Sequence, residues 1–373
     1  MRQTAAPGPN VAIVHDWLLT AGGAERVLSR LCSLFPSADL FCLVGDARLL
    51  PPEIPAERFH QSWLTHLRGM QRHYRGFAPV MPWAIESLNL KAYDLVISST
   101  WAFAHGVHTR SGALHLAYVH SPMRWAWDMQ DEYLQRWAVS SLVKRAARIP
   151  LRWLRHWDYQ AGQRPTQLLA NSRFIQKRIA SCWKRQAGVL YPPVDVKLPK
   201  CVESHKAFVV VSRLVPYKRV DLVVKAFQHL PNHQLIVAGD GPELSRLQAL
   251  AGPNVQFKGW VTDDQALRLM AGSRGLIQAS KEDFGIAVVE AQACGTPVLA
   301  YGEGGALEIL NTEAGSATGM FFHTLEPDAL AEAICEFEAQ SFNAKDCQAN
   351  ALRFSGETFD DGVRTTLKAL GYS

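Results

Sequence analysis

Short apolar runs alternate with helix-length segments along the whole chain, and this alternation limits the fold class more than any single residue does. In the second half the runs are Phe208-Val-Val-Val211, Leu235-Ile-Val-Ala238, Val255-Gln-Phe257, Leu276-Ile-Gln278 and Pro297-Val-Leu-Ala300. Helical patterns fall at 219–229, 242–250, 263–271 and 286–293. The first half has runs at Val11–Val14, Leu40–Leu43, Leu95–Ser98, His115–Val119 and Leu168–Ala170. Strands covered on both faces read as continuous apolar runs, and intervening helices make them parallel. The pattern predicts two doubly wound, Rossmann-like α/β domains that bind ligands at the carboxyl ends of their strands. A chain of 373 residues has room for two. The boundary is expected at Tyr191-Pro-Pro-Val-Asp195 and the polar stretch to His205, since a Pro-Pro pair favours an extended linker. That gives domains at 1–195 and 196–355, followed by a C-terminal segment, 356–373, expected as a helix packing back on the first domain. Two domains joined by a short linker form a cleft, a common place for a ligand.

Charge separates the halves. Residues 1–195 hold 23 Lys/Arg against 13 Asp/Glu, and residues 196–373 hold 16 against 21. A basic first half suits nucleic acid, an anionic membrane surface or a phosphorylated substrate. Residues 58–85 contain Arg58, Arg68, Arg72 and Arg75, three His and no acid, interleaved with Trp63, Tyr74 and Phe77. Residues 144–157 contain Lys144, Arg145, Arg148, Arg152 and Arg155 with Trp153 and Trp157, again without an acid. Such mixtures fit an anionic bilayer interface, or a helix buried on one side. No apolar stretch is long enough to span a bilayer, and the apolar run after the polar Met1–Asn10 is too short for a secretory signal. The seven cysteines are scattered, with no Cys-x-x-Cys pair, which points to a reducing cytoplasm and away from disulfides or structural zinc.

Several segments have the residue types of a phosphate-sugar site. Gly239-Asp-Gly-Pro242 follows a strand and opens a helix; it marks a tight turn, with or without a ligand. Gly22-Gly23 precedes a helical run, where backbone N–H groups could meet an anion, although the full dinucleotide fingerprint is absent. Arg213 and Lys218 emerge at a strand's carboxyl end, with a planar fork and a point charge for phosphate oxygens. In Glu282-Asp-Phe-Gly285-Ile-Ala-Val-Val-Glu290 an acid precedes a helix N-terminus and a second lies two turns along, suited to sugar and ribose hydroxyls or to capping and solvation.

In order and spacing, Gly22-Gly23, His120 in Tyr-Val-His-Ser-Pro, Asn171-Ser172, Tyr191-Pro-Pro-Val-Asp195, Ser212-Arg213 with Lys218, Gly239-Asp-Gly-Pro242 and the pair Glu282/Glu290 together resemble the retaining glycosyltransferases of family 4, over nearly the whole chain. His15-Asp16-Trp17 and Met123-Arg-Trp-Ala-Trp-Asp128 make it most similar to bacterial mannosyltransferases of O-antigen or exopolysaccharide (lipopolysaccharide) synthesis. The resemblance implies the GT-B fold, two Rossmann-like parallel-sheet domains facing across a cleft. It implies a nucleotide-sugar donor, GDP-mannose, and a polyprenyl-diphosphate-linked saccharide acceptor. Arg213 and Lys218 would hold the diphosphate and Glu282 the donor sugar. The amides of Phe284, Gly285 and Ile286 would lie near sugar and phosphate, and Glu290 would take the ribose. Gly241 would belong to the donor site, backbone at Gly259-Trp260-Val261 would flank the base, Gly22 and Gly23 would approach the diphosphate, and His120 the sugar near its reacting carbon. It further implies front-side attack with retention, the departing phosphate taking the acceptor proton.

There is no Asp-x-Asp motif, so neither a metal nor another cofactor is expected, and cations would stabilise the leaving group. The protein is expected in the cytoplasm, peripheral at the inner face of the inner membrane. A nucleotide-sugar epimerase shares the architecture and is the alternative enzyme. A nucleic-acid binder is disfavoured by the acidic second half and the lack of a recognition motif.

Overall fold

Each apolar run is a strand, and helices return the chain so that neighbouring strands run parallel. The computed structural model describes residues 10–20, 22–128, 130, 141–195 and 204–372, without the side chains of residues 75 and 141–147. The polar linker stretch beyond Asp195 and the N-terminal segment before Asn10 lie outside these residues. The chain divides into two units, one formed by residues up to Tyr191 together with Asp360 onward, the other by Pro192–Phe359.

The first unit is built on a parallel seven-stranded sheet, order β3-β2-β1-β4-β5-β6-β7. Its strands are β1 Val11–His15, β2 Asp39–Cys42, β3 Phe59–Gln61, β4 Leu95–Thr100, β5 Leu114–Val119, β6 Gln167–Ala170 and β7 Gly188–Val189. The second unit has a parallel six-stranded sheet, order β10-β9-β8-β11-β12-β13. Its strands are β8 Phe208–Val211, β9 Leu235–Ala238, β10 Val255–Gly259, β11 Gly275–Gln278, β12 Val298–Tyr301 and β13 Gly319–Phe322. Both follow the doubly wound order, which places a switch point beside the first strand of each sheet. The GT-B class expected from sequence is therefore the observed one. The short strands β3, β7 and β13 were not expected. β3 and β7 are half-buried throughout, so neither carries an apolar run.

Helices pack one face onto the sheets. On Gly23–Leu34, residues Val27, Leu28, Leu31 and Cys32 are buried on a single stripe. In the second core Phe208, Val210, Val237, Ile277 and Leu299 from the sheet meet Val223, Leu330, Ile334 and Phe337 from helices Val220–Ala226 and Pro327–Ala339. The helix Gly356–Ala369 begins in the second unit and ends in the first, where Arg30 forms a two-pronged ion pair with Asp360 at 2.7 and 2.8 Å.

Asp16, just past β1 and fully buried, organises the start of the next crossover. Its carboxylate accepts the backbone N–H groups of Trp101 and Ala102 on one oxygen (2.6 and 3.0 Å) and of Phe103 and Ala104 on the other (2.6 and 2.7 Å). Those amides leave the carboxyl end of β4 and have no other strand to pair with. Asp16→Ala would strand buried donors, each costing about 1–3 kcal/mol. The variant should lose several kcal/mol, read as a lower thermal midpoint for the first unit, with Asp16→Asn falling between.

His115 on β5 is buried and shares a hydrogen bond of 2.9 Å with Ser98 Oγ. Burial, aided by nearby His105, Arg164 and Arg185, lowers its pKa from 6.5 to about 3. The folded protein thus keeps this imidazole neutral where the unfolded chain takes up a proton. Its contribution is complete above pH ~6.5 and drains away as pH falls toward about 3. His115→Gln should make the acid-side loss of stability shallower by up to about 1.4 kcal/mol per pH unit; equal slopes in urea melts across that window would contradict this.

Candidate functional site

In the second unit, chemistry collects where β8 and β11 end. After β8 the chain passes Ser212–Leu214 into the 3₁₀ turn Pro216–Lys218, and Arg219 takes a left-handed φ of 53° to start the helix Val220–Ala226. After β11 it passes Ala279–Ser280 to Glu282. Lys218 Nζ lies 2.6 Å from Glu282 Oε1, and Ser280 Oγ donates to the same oxygen at 3.1 Å. Ser212, Lys218, Gln278, Ser280, Glu282 and Ala287 line one small pocket, together with Val210, Val211, Leu276 and Ile277. Lys218 and Glu282 thus share one hollow, though distant in sequence.

Close backbone contacts hold these loops. The Gly239–Pro242 turn lies against Ser212–Leu214, with Leu214 N–H donating to Asp240 O (2.9 Å) and Glu243 N–H to Leu214 O (3.1 Å). A Cβ at Gly241 would collide with the Leu214 carbonyl, so the fold by itself requires this glycine. On the other side Gly304, at φ +74°, bridges Glu282, and a Cβ there would collide with the Glu282 carbonyl. Gly305 N–H donates to Glu282 O at 2.9 Å. The sequence reading did not single out Gly302-Glu-Gly-Gly305 or Ser280. Their signal was present: a glycine cluster directly after the run that became β12.

The remaining expected residues stand as follows. Arg213 is exposed beside the pocket, its guanidinium 3.4 Å from Tyr217 Oη, and is not part of the lining. Gly285, at φ +110°, caps the helix Ile286–Ala293 without a side-chain cap. The Phe284 side chain is buried edge-on to Phe354, so only its backbone is available to a ligand. Glu290 is half-buried on that helix and outside the pocket lining; burial, helped by the Glu290 charge, pushes the Cys294 thiol up to about 12. Trp260 is 73 % exposed after β10, Val261 is half-buried, and Thr262 caps the next helix in a reciprocal pair with Gln265. Gly259 O accepts from Gly239 N–H at 2.7 Å, which ties this segment to the glycine turn.

In the first unit His120 follows β5. Its backbone N–H donates to Thr100 O (2.8 Å) and its Nε2 shares a hydrogen bond with Ser99 Oγ (2.9 Å). The ring packs against Tyr118 and Trp101, and burial together with His15 lowers its pKa to about 3. It therefore presents a neutral imidazole. His15 ends β1, fully buried, with both ring nitrogens lacking a hydrogen-bond partner and Glu25 Oε1 at 3.9 Å. Gly22 is the uncapped N-cap of Gly23–Leu34, in extended backbone that any residue could adopt.

Residues 199–354 match the family model for glycosyl transferases group 1. Among curated proteins, the chain is 28 % identical over 237 residues to the mouse GDP-Man:Man(3)GlcNAc(2)-PP-Dol alpha-1,2-mannosyltransferase, covering 54 % of this chain and 48 % of that one. It is 33 % identical over 140 residues to a GDP-mannose-dependent monoacylated alpha-(1-6)-phosphatidylinositol monomannoside mannosyltransferase of Corynebacterium glutamicum, 34 % and 36 % of the two chains. The chain thus spans half or less of these relatives' length. Among solved structures, Anabaena HepE in complex with UDP-glucose superposes with a TM-score of 0.68 at 22 % identity, over 96 % of this chain and 99 % of that one. Sucrose-phosphate synthase from Thermosynechococcus elongatus does so with 0.68 at 16 %, over 97 % and 99 %. The second unit thus matches the group 1 glycosyltransferase model over residues 199–354, and the chain as a whole has the two parallel-sheet units of the GT-B fold.

Proposed function

We propose that the protein is a retaining, metal-independent hexosyltransferase that uses a nucleoside-diphosphate sugar, with GDP-mannose as the first choice of donor. Its acceptor would be a polyprenyl-diphosphate-linked saccharide, in bacterial surface polysaccharide synthesis. The observation that carries this reading is the Lys218–Glu282 pair lining a pocket at the carboxyl ends of β8 and β11, within the stretch that matches the family model. GDP-mannose is favoured because two relatives carry it in their names.

The chemistry follows from charge. As the glycosidic bond breaks, the departing diphosphate gains negative charge, and cations already in place stabilise it more than the ground state. Lys218 would supply that charge, with Arg213 at the rim. In the free protein Lys218 is engaged by Glu282. A diphosphate oxygen competing for Nζ would release a carboxylate held by Ser280, which can then accept a hydrogen bond from a donor-sugar hydroxyl. In this scheme Glu282 binds and stabilises; the leaving phosphate oxygen takes the acceptor hydroxyl's proton as the new glycosidic bond forms on the same face. His120, being neutral, would offer a hydrogen bond rather than a charge. An acceptor of this kind requires work at a bilayer surface on the cytoplasmic side.

A thermal-shift panel of nucleotide sugars tests donor choice. The true donor at a hundredfold excess over its Kd should add about 2.7 kcal/mol, and the others less. Glu282→Ala should cut kcat/KM by orders of magnitude; a near wild-type value rejects the assignment. Lys218→Gln should lower kcat more than it raises KM, as expected for a contact that strengthens in the transition state.

A further inference from the structure

The two basic, aromatic segments of the first unit meet in one place. Trp83 on the helix Met81–Glu86 packs against Trp153 on the helix Ser141–Ala161, ring centroids 5.0 Å apart, while Trp83 remains 57 % and Trp153 37 % exposed. Ile149, one turn from Trp153 on the same helix face, is 71 % exposed. Leu154, Asp158 and Ala161, farther round the helix, are buried in the unit, and Trp157, one turn beyond Trp153, is buried too. Around this apolar patch Arg148 and Arg152 are exposed, and the turn Trp63–His66 packs against Met81–Glu86, with exposed Trp63, Leu67, Arg68 and Arg72. The side chains of Lys144 and Arg145 lie outside the described residues. From 58 to 85 and from 148 to 157 there is no acid.

The patch is rigidly mounted. Trp157 Nε1 donates to Glu86 Oε1 at 2.8 Å, and Arg164 pairs with the same oxygen at 2.6 Å, which clamps the two helices together. Both also contact the 3₁₀ turn Ala104–Gly106. That turn follows β4 at its carboxyl end, where His15, Ser99 and His120 gather. Among the described residues no helix is long and apolar enough to cross a membrane.

We propose that Trp83, Trp153 and Ile149, with Arg148 and Arg152 around them, form the face by which this protein docks on an anionic lipid bilayer. Indoles favour the bilayer interface, an aliphatic residue favours the acyl boundary, and exposed arginines favour anionic headgroups. Paired exposed indoles and arginines also suit single-stranded nucleic acid. The exposed aliphatic side chains, Ile149 and Leu67, have no role there, and they decide for lipid. The proposal rests on the reading of a lipid-borne acceptor and names the surface that would bring it to the His120 end of the sheet.

Co-sedimentation of the full chain with phosphatidylcholine vesicles, with and without phosphatidylglycerol, tests it. The wild type should bind the anionic vesicles, less so as salt rises, and leave the neutral ones. Replacing both indoles, Trp83→Ser with Trp153→Ser, should lower the partition coefficient by at least about tenfold, while phenylalanine at both positions should retain it. Arg148→Gln with Arg152→Gln should lower binding to anionic vesicles by about tenfold or more. Absence of wild-type binding, or serine variants that bind as wild type, would overturn it, as would binding to single-stranded RNA without binding to vesicles. Should the serine variants misfold, quenching of wild-type fluorescence by brominated acyl chains decides: quenching supports docking and its absence refutes it. The donor-induced thermal shift should be the same in wild type and serine variants. Vesicle binding without any donor shift would remove the glycosyltransferase reading and leave the docking face standing.

Discussion

The second unit depends on backbone touching backbone at the ends of its strands. Gly241 lies against Leu214, and Gly304 against Glu282, at distances no side chain tolerates. These contacts fix the two loops that carry Lys218 and Glu282, so a 2.6 Å ion pair can form between residues that follow different strands. Parallel strands end at one edge and there release unpaired backbone groups and turns. Residues placed there need no buried salt bridge in the core, whose desolvation would be costly. The glycines that look like ligand fingerprints are thus first a condition of the architecture.

The first unit solves the corresponding problem with a side chain. Asp16 gathers the free amides after β4, and the loop it fixes leads to the 3₁₀ turn on which the Trp83 and Trp153 helices rest. Deeper in the same unit Asp158, fully buried, accepts the indole N–H groups of Trp127 and Trp183, both at 2.7 Å, and faces His105 Nε2 at 3.3 Å. Two acids outside the pocket therefore hold the polypeptide that follows β4 and β5.

The strand runs were legible because burial on both faces leaves no polar alternation to confuse them. Val11–His15 and Phe208–Val211 read directly, whereas β3 and β7 are short and half-buried and leave no such trace. Lys218 and Glu282 were legible as candidates from their places after a strand and before a helix, with their roles supplied by the family resemblance; their contact was not, since spacing says nothing about two loops meeting across a sheet edge. Asp16 and Asp158 could not be distinguished from solvated charges, because their partners are main-chain amides and indoles drawn from elsewhere. The two basic segments were each visible in composition, but only folding brings Trp83 against Trp153.

On the proposed function, the salt link between Lys218 and Glu282 would also make the hollow a poor trap for simple ions. A lone phosphate would have to strip the lysine from its carboxylate, which would keep Ser280 but lose its cation. A neutral sugar would face an acid already occupied. On the function proposed above, a molecule that joins an anionic bridge to a hydroxylated ring would replace both halves of the link at once, so the pair would favour such bifunctional ligands over either half alone.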